Sequence, residues 1–239
     1  MKAFVLAEPG KVKWFDAPEP QLVPYGAILK PVAVTPCSSD VHTVFGGGSK
    51  KQDNLVLGHE CIAEVVSVGE NVCDFKTGDR VAVPAITPDW REKSIQEGND
   101  RHASAPFSGH QLGRTQPGVF SERFLIKDAD TTLAHIPQKI SEEQALMSVD
   151  VVTTGFTGAE YADIKIGDTV CVIGIGPIGL MAVAGAKLRG AARIIAVGTR
   201  PKCVQLAKYY GATDVLSYKE GDIVQQVKEL TNGIGVDAT

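Results

Sequence analysis

Thr169-Val170-Cys171-Val172-Ile173-Gly174-Ile175-Gly176-Pro177-Ile178-Gly179-Leu180 runs from an uncharged, largely β-branched pentapeptide straight into three glycines spaced G-x-G-x-x-G. A short apolar run without alternation reads as a buried strand, and the sequence from Leu180 to Leu188 reads as a helix. In that setting each glycine has a task. Gly174 permits the tight turn, Gly176 lets backbone approach a pyrophosphate, and Gly179 lets helix and strand pack closely. In a chain with 25 glycines the string alone says little. Its place between strand and helix makes Gly174, Ile175, Gly176, Pro177, Ile178 and Gly179 a candidate dinucleotide loop.

Downstream, Arg193 to Val197, a helical pattern through Val204 to Tyr210, and Thr213 to Leu216 complete a βαβαβ order, the signature of a parallel sheet. About 20 residues past the third glycine, where an NAD-binding protein offers a carboxylate to the ribose, this chain has Gly198-Thr199-Arg200. A small residue, a hydroxyl and a guanidinium suit a 2′-phosphate, so NADP is the expected cofactor. The plainer reading of Arg200 is a solvated loop charge. Tyr218 follows the third strand and reads either as a neighbour of the adenine or its phosphate, or as ordinary packing.

Upstream the texture differs. Up to about residue 150, β-like runs (27–34, 61–68, 80–83 and 120–126) are punctuated by Gly, Pro and Asp. Ser141-Glu142-Glu143 then opens a helix. Residues 87–118 carry Pro88, Pro106 and Pro117 without a period and read as a long irregular excursion. Within this part Cys37, His59, Glu60 and Asp150 offer a thiolate, an imidazole and two carboxylates, the ligand types of a catalytic zinc. Taken singly, Cys37 also reads as a small buried hydrophobe and His59 as a structural imidazole. Their places at loop-to-element junctions favour presentation to a ligand.

Composition excludes several classes. The chain has 239 residues, 44% hydrophobic and 22% charged, with net charge −4 and scattered Lys and Arg. This argues against a nucleic-acid or polybasic membrane surface. Five cysteines at 37, 61, 73, 171 and 203 form neither a CxxC pair nor a disulfide framework, which fits a reducing cytosol. Glu8 and Pro9 interrupt the first apolar run, so no signal peptide is expected. The uncharged stretch 169–186 is broken by four glycines and Pro177, against a membrane span.

Through residues 36–43, 57–60 and 87–90, Asp150, Thr153-Thr154-Gly155, residues 172–176 and Gly198-Thr199-Arg200, the chain resembles the medium-chain zinc-dependent alcohol dehydrogenases, in particular their NADP-dependent secondary alcohol dehydrogenase branch. The resemblance implies an α/β architecture with a GroES-like β-rich catalytic domain (1–152) followed by a Rossmann doubly wound domain (153–239). It implies hydride transfer between NADP(H) and small secondary alcohols or ketones. Cys37, His59 and Asp150 would hold one catalytic zinc with Glu60 as a displaceable ligand, and Ser39 would bond the substrate hydroxyl and relay its proton to His42. A second, structural zinc would need four clustered cysteines, which are absent between Cys73 and Cys171. Relatives usually carry a tryptophan where this chain has His110, a residue of the alcohol pocket or an exposed loop histidine; His102 and His135 read as structural or surface residues. Family members run longer, so the Rossmann unit is expected to be incomplete, breaking off in its fourth strand, with homo-oligomers expected of the full-length form. Two other readings stand beside this one: a zinc-independent quinone or enoyl reductase of the same superfamily, and an inactive fragment that only binds zinc and NADP.

Overall fold

The computed structural model describes residues 1–46, 54–98 and 109–239, so His102 and Pro106 lie outside the described residues. The chain divides into two compact units, Met1–Asp150 and Val151–Thr239.

The first unit is built of β1 (Lys2–Glu8), β2 (Lys11–Asp16), β3 (Ala27–Val34), α1 (Ser38–Phe45), β4 (Leu55–Val56), β5 (Cys61–Val68), β6 (Arg80–Val83), α2 (Lys93–Gln96), β7 (Phe124–Ile126), α3 (Ala129–Thr132), β8 (Ala134–His135) and α4 (Glu142–Ser148). Its strands form a five-stranded sheet in the order β7-β3-β5-β6-β8 and a three-stranded sheet β2-β1-β4. β3 and β5 pair antiparallel, and the register shifts between Pro31 and Ala33, a bulge that spares the ladder a donor Pro31 lacks. Leu29, Cys61, Ala63, Val65, Val81 and Phe124 fill the core between the strands. Leu6, Val44, Leu55 and Leu57 form a smaller cluster under α1.

Two features of this unit depart from the sequence pattern. The run 120–126 is strand only over Phe124–Ile126, because Ser121 bridges Ala3 across the other sheet and its neighbour Glu122 accepts the Lys2 amide. The hairpin β1–β2 leaves no clear local signal: Lys and Glu punctuate its apolar positions, and its inward face is completed by Val56 of β4, far along the chain.

The second unit consists of α5 (Val151–Tyr161), β9 (Thr169–Ile173), α6 (Pro177–Leu188), β10 (Arg193–Val197), α7 (Pro201–Tyr210), β11 (Asp214–Leu216) and α8 (Ile223–Leu230). The sheet is parallel, order β11-β10-β9, and central β10 buries Ile194, Ile195, Ala196 and Val197, as a strand covered on both faces must. α6 and α7 each begin three residues before the apolar periodicity does. Pro177 and Pro201 stand in the first helical turn, where a missing amide donor costs nothing. α5 packs on α6 at close range, since a Cβ on Gly155 would sit 2.5 Å from that of Met181. Among the described residues no helix is long and apolar enough to cross a membrane.

Candidate active site

In the first unit, β3 leads into α1 through Cys37, and Asp40 reaches back to accept the Cys37 amide on Oδ2 at 2.8 Å. This is the reciprocal bond of a helix capping box. The same carboxylate accepts the Gly58 amide on Oδ1 at 3.3 Å and lies 3.2 Å from His59 Nδ1. One buried side chain thus ties the Cys37 segment to the His59 segment. Gly58 turns the chain with φ +90°, a conformation costly for residues with a Cβ. A Cβ there would also stand 2.5 Å from the Phe120 ring. Gly58→Ala is therefore expected to destabilise the chain by about 2–4 kcal/mol, the sum of a left-handed penalty and overpacking, read as a lower midpoint in urea.

His59 and Glu60, each 2% exposed, follow directly and sit just before β5. Asp150 arrives from the end of α4, whose neighbouring Val149 carbonyl accepts the Ala85 amide at 3.2 Å. His59 Nε2 is 3.8 Å from a Glu60 oxygen and 3.8 Å from an Asp150 oxygen. Donor atoms of Cys37, His59, Glu60 and Asp150 all lie within 4.8 Å of one another. Ligands bound at about 2.0–2.3 Å from one ion stand somewhat closer together than this, so a small contraction would suffice.

The electrostatics also call for a cation. Burial, with the nearby Glu60 and Asp150 carboxylates, pushes the Cys37 thiol up from its ordinary pKa. Burial and Asp150 likewise raise Glu60, whose buried Oε2 has no hydrogen-bond partner among the described residues. A divalent ion would reverse both effects by giving clustered anionic donors an opposite charge. The donor set therefore fits zinc, with thiolate and imidazole the ligands that suit it best.

Ser39 Oγ lies 3.3 Å from His59 Nε2, beside the donor set. His42, almost one turn along α1, is exposed, and its carbonyl accepts the Gly46 amide at 2.6 Å. His110 is half-buried, its ring 4.4 Å from that of His59 at 64°. Burial foremost, then the charges of His59 and Arg114, lowers its pKa to about 4, so the ring is neutral near pH 7. His110 is therefore not a fully exposed loop histidine. His135 stacks on Phe75 at 4.6 Å and has Nε2 3.0 Å from the Asp74 carbonyl, a structural role.

In the second unit, Gly174 adopts φ +90° and its amide donates to the Val197 carbonyl at 3.0 Å. Gly176 caps α6, Ile175 is buried and Ile178 lies exposed. A Cβ on Gly179 would fall 1.8 Å from the Gly174 carbonyl oxygen, so the helix can approach the turn only without one. The first amides of an α-helix have no partner within it, and such groups suit a phosphate. A Cβ on Gly198 would meet Ile175 at 2.2 Å, and an Arg200 guanidinium nitrogen lies 3.5 Å from where a Cβ on Gly176 would stand. Thr199 Oγ1 donates to Tyr218 Oη at 3.0 Å. Arg200 and a hydroxyl pair thus gather at the end of β10, a set whose chemistry fits a phosphate monoester on the ribose.

Residues 24–138 match the family model described as alcohol dehydrogenase GroES-like domain, and residues 177–239 match that described as zinc-binding dehydrogenase. The chain is 56% identical to the NADP-dependent isopropanol dehydrogenase of Thermoanaerobacter brockii over 100% of its own length and 68% of that protein. The chain belongs to the zinc-binding alcohol dehydrogenases. It is also 52% identical to the NADP-dependent isopropanol dehydrogenase of Clostridium beijerinckii, again spanning 68% of it. Among solved structures it superposes on alcohol dehydrogenase TADH from Thermus sp. ATN1 with TM-score 0.86 and 27% identity, over 99% of this chain and 68% of that one. The zinc dependent alcohol dehydrogenase 2 from Streptococcus pneumonia gives TM-score 0.87 and 29% identity, over 99% and 67%. The architecture is thus a GroES-like domain followed by part of a Rossmann domain.

Asp40 is the residue that sequence reasoning missed. The available signal was a capping one: an acidic residue three positions after Cys37 at a helix start. Because Asp40 faces His59 Nδ1, it holds the ring with Nε2 toward the donor set. Asp40→Asn is expected to weaken zinc binding about 10–100-fold, as loss of such a partner does, measured by competition with a chromogenic chelator.

Proposed function

We propose that this zinc-binding alcohol dehydrogenase transfers hydride between NADP(H) and small secondary alcohols or ketones. The observation that carries the reading is the convergence of Cys37, His59, Glu60 and Asp150 within 4.8 Å, in a chain that also has Arg200 in place of a ribose-binding carboxylate. Cys37, His59 and Asp150 would hold one zinc, with Glu60 as a ligand that can withdraw; when bound, the ion supplies a Lewis acid that makes an alcohol proton easier to remove. Asp40 keeps His59 in the tautomer that leaves Nε2 free as a donor. Ser39 Oγ, 3.3 Å from His59 Nε2, hydrogen-bonds the substrate hydroxyl and passes its proton outward. His42, exposed on the same helix, returns it to water. Gly174, Ile175, Gly176, Pro177, Ile178 and Gly179 seat the pyrophosphate, and Gly198, Thr199, Arg200 and Tyr218 hold the 2′-phosphate end. NADP, when bound, supplies the hydride acceptor.

All five cysteines are free, which agrees with work in a reducing cytosol. The same reading includes assembly of identical copies, tested by sedimentation of the purified protein. The catalytic reading is tested by metal analysis together with NADPH-dependent reduction of acetone. One zinc per chain with turnover supports it. Metal-free protein with full activity returns the zinc-independent reductase reading, and zinc and NADP binding without turnover returns the binding-only one.

A further inference from the structure

α8 holds a polar residue where its pattern calls for an apolar one. Ile223, Val227 and Leu230 pack with Cys171, Ile195 and Val197 on a stripe spaced i, i+4, i+7, and position i+3 of that stripe is Gln226. A glutamine amide has two N–H donors. Here both are used, because Nε2 donates to the Ser217 carbonyl at 3.1 Å and to the Gly221 carbonyl at 3.1 Å. Those carbonyls are the two ends of the loop 217–221 between β11 and α8. Inside it, the Ser217 carbonyl also accepts the Glu220 amide at 3.0 Å, and Ser217 Oγ accepts the Lys219 amide at 3.2 Å. One side chain thus staples the loop shut, while Gly221, with φ +130°, takes the turn into the Asp222 cap of α8.

The stapled loop carries Tyr218. Its side chain is 60% exposed, so packing does not fix it. The backbone beneath it and the 3.0 Å bond from Thr199 Oγ1 to its Oη set its place. The Gly198 amide donates to the Leu216 carbonyl at 2.9 Å, which ties the start of the loop to the end of β10. A phenol oxygen that accepts from Thr199 keeps its own proton to donate to an anion. We propose that Gln226 is a positioning residue for cofactor choice: by closing the loop 217–221 it holds Tyr218 Oη against Thr199, ready for the 2′-phosphate of NADP. The inference rests on the proposed cofactor site and adds the residue that orders it. A loop and side chain already in place need not be fixed by the ligand, so ordering them beforehand strengthens binding.

The test titrates the chain with NADP⁺ and with NAD⁺ by calorimetry, in the unaltered protein, Gln226→Met, Tyr218→Phe and the double variant. Methionine keeps the length and helix preference of glutamine but has no N–H donor. Gln226→Ala is titrated alongside as a second removal of the amide. The ratio of NADP⁺ to NAD⁺ affinity is expected to fall about 3–10-fold in Gln226→Met and in Gln226→Ala, and by a similar factor in Tyr218→Phe. Combining Gln226→Met with Tyr218→Phe should cost little more, because both act on one contact. A ratio unchanged by either Gln226 variant, even with a lower midpoint in urea, makes Gln226 a structural residue and overturns the inference. Losses that multiply in full in the double variant also overturn it, since Gln226 would then not act through Tyr218. An unaltered protein that binds NAD⁺ as tightly as NADP⁺ counts instead against the cofactor site itself, and the inference falls with it.

Discussion

Replacing His59 by alanine is expected to empty the metal centre and to lower turnover by about 10³-fold or more, the several kcal/mol that a Lewis acid contributes to such a step. The imidazole lies between the other donors: its Nε2 is 3.8 Å from both Glu60 and Asp150, and its Nδ1 is 3.2 Å from Asp40. Without it, a thiol and three carboxylates face one another in a nearly dry site, and protonation becomes the cheaper way to neutralise them. The readouts are zinc per chain and the rate of ketone reduction. A variant that keeps one zinc and ordinary turnover would show that the four donors are not the catalytic centre. Removing zinc from the unaltered protein with a chelator should reproduce the loss, and adding zinc back should restore only the unaltered protein. That contrast separates loss of a ligand from damage to the fold.

Reversing the charge of Arg200 is the second large effect. Arg200→Glu is expected to weaken NADP⁺ binding about 10³-fold, from lost charge-assisted hydrogen bonds together with new repulsion of the 2′-phosphate. NAD⁺ has no such phosphate and should change little or bind better. The side chain is exposed and reaches over Gly176 rather than filling a core, so the substitution leaves the packing of β10 on Ile175 untouched. Titrating both nucleotides by fluorescence quenching measures the ratio. An equal fall for both would mean that Arg200 does not read the 2′ position, and no fall for either would make it a surface charge.

Much of the second unit is legible in the order of its residues. Gly174 and Gly179 mark a turn because a side chain at the first would strain a backbone with φ +90°. At the second, a Cβ would stand 1.8 Å from a carbonyl oxygen. Pro177 and Pro201 set the helix starts through their own fixed φ, although the periodicity puts those starts three residues late. The first unit is less legible. β1, β2 and the short β4 hold together through pairings such as Val5 with Val56, and no local pattern announces a partner fifty-one positions away (56 minus 5).

The donor set shows the same divide. Sequence alone named residue types capable of holding zinc, and a trio at 198–200 whose chemistry suits a phosphate, because these follow from side-chain chemistry and from spacing within one supersecondary unit. Whether residues as distant as Cys37 and Asp150 converge was decided by tertiary structure, as were Asp40 bridging two ligand segments, Ser39 turning to His59 and His110 lying against the same ring. The reason is range. Backbone sterics and periodicity act over a few residues, whereas burial of Leu29, Cys61 and Val81 in one core brings distant segments into register and carries their functional side chains along.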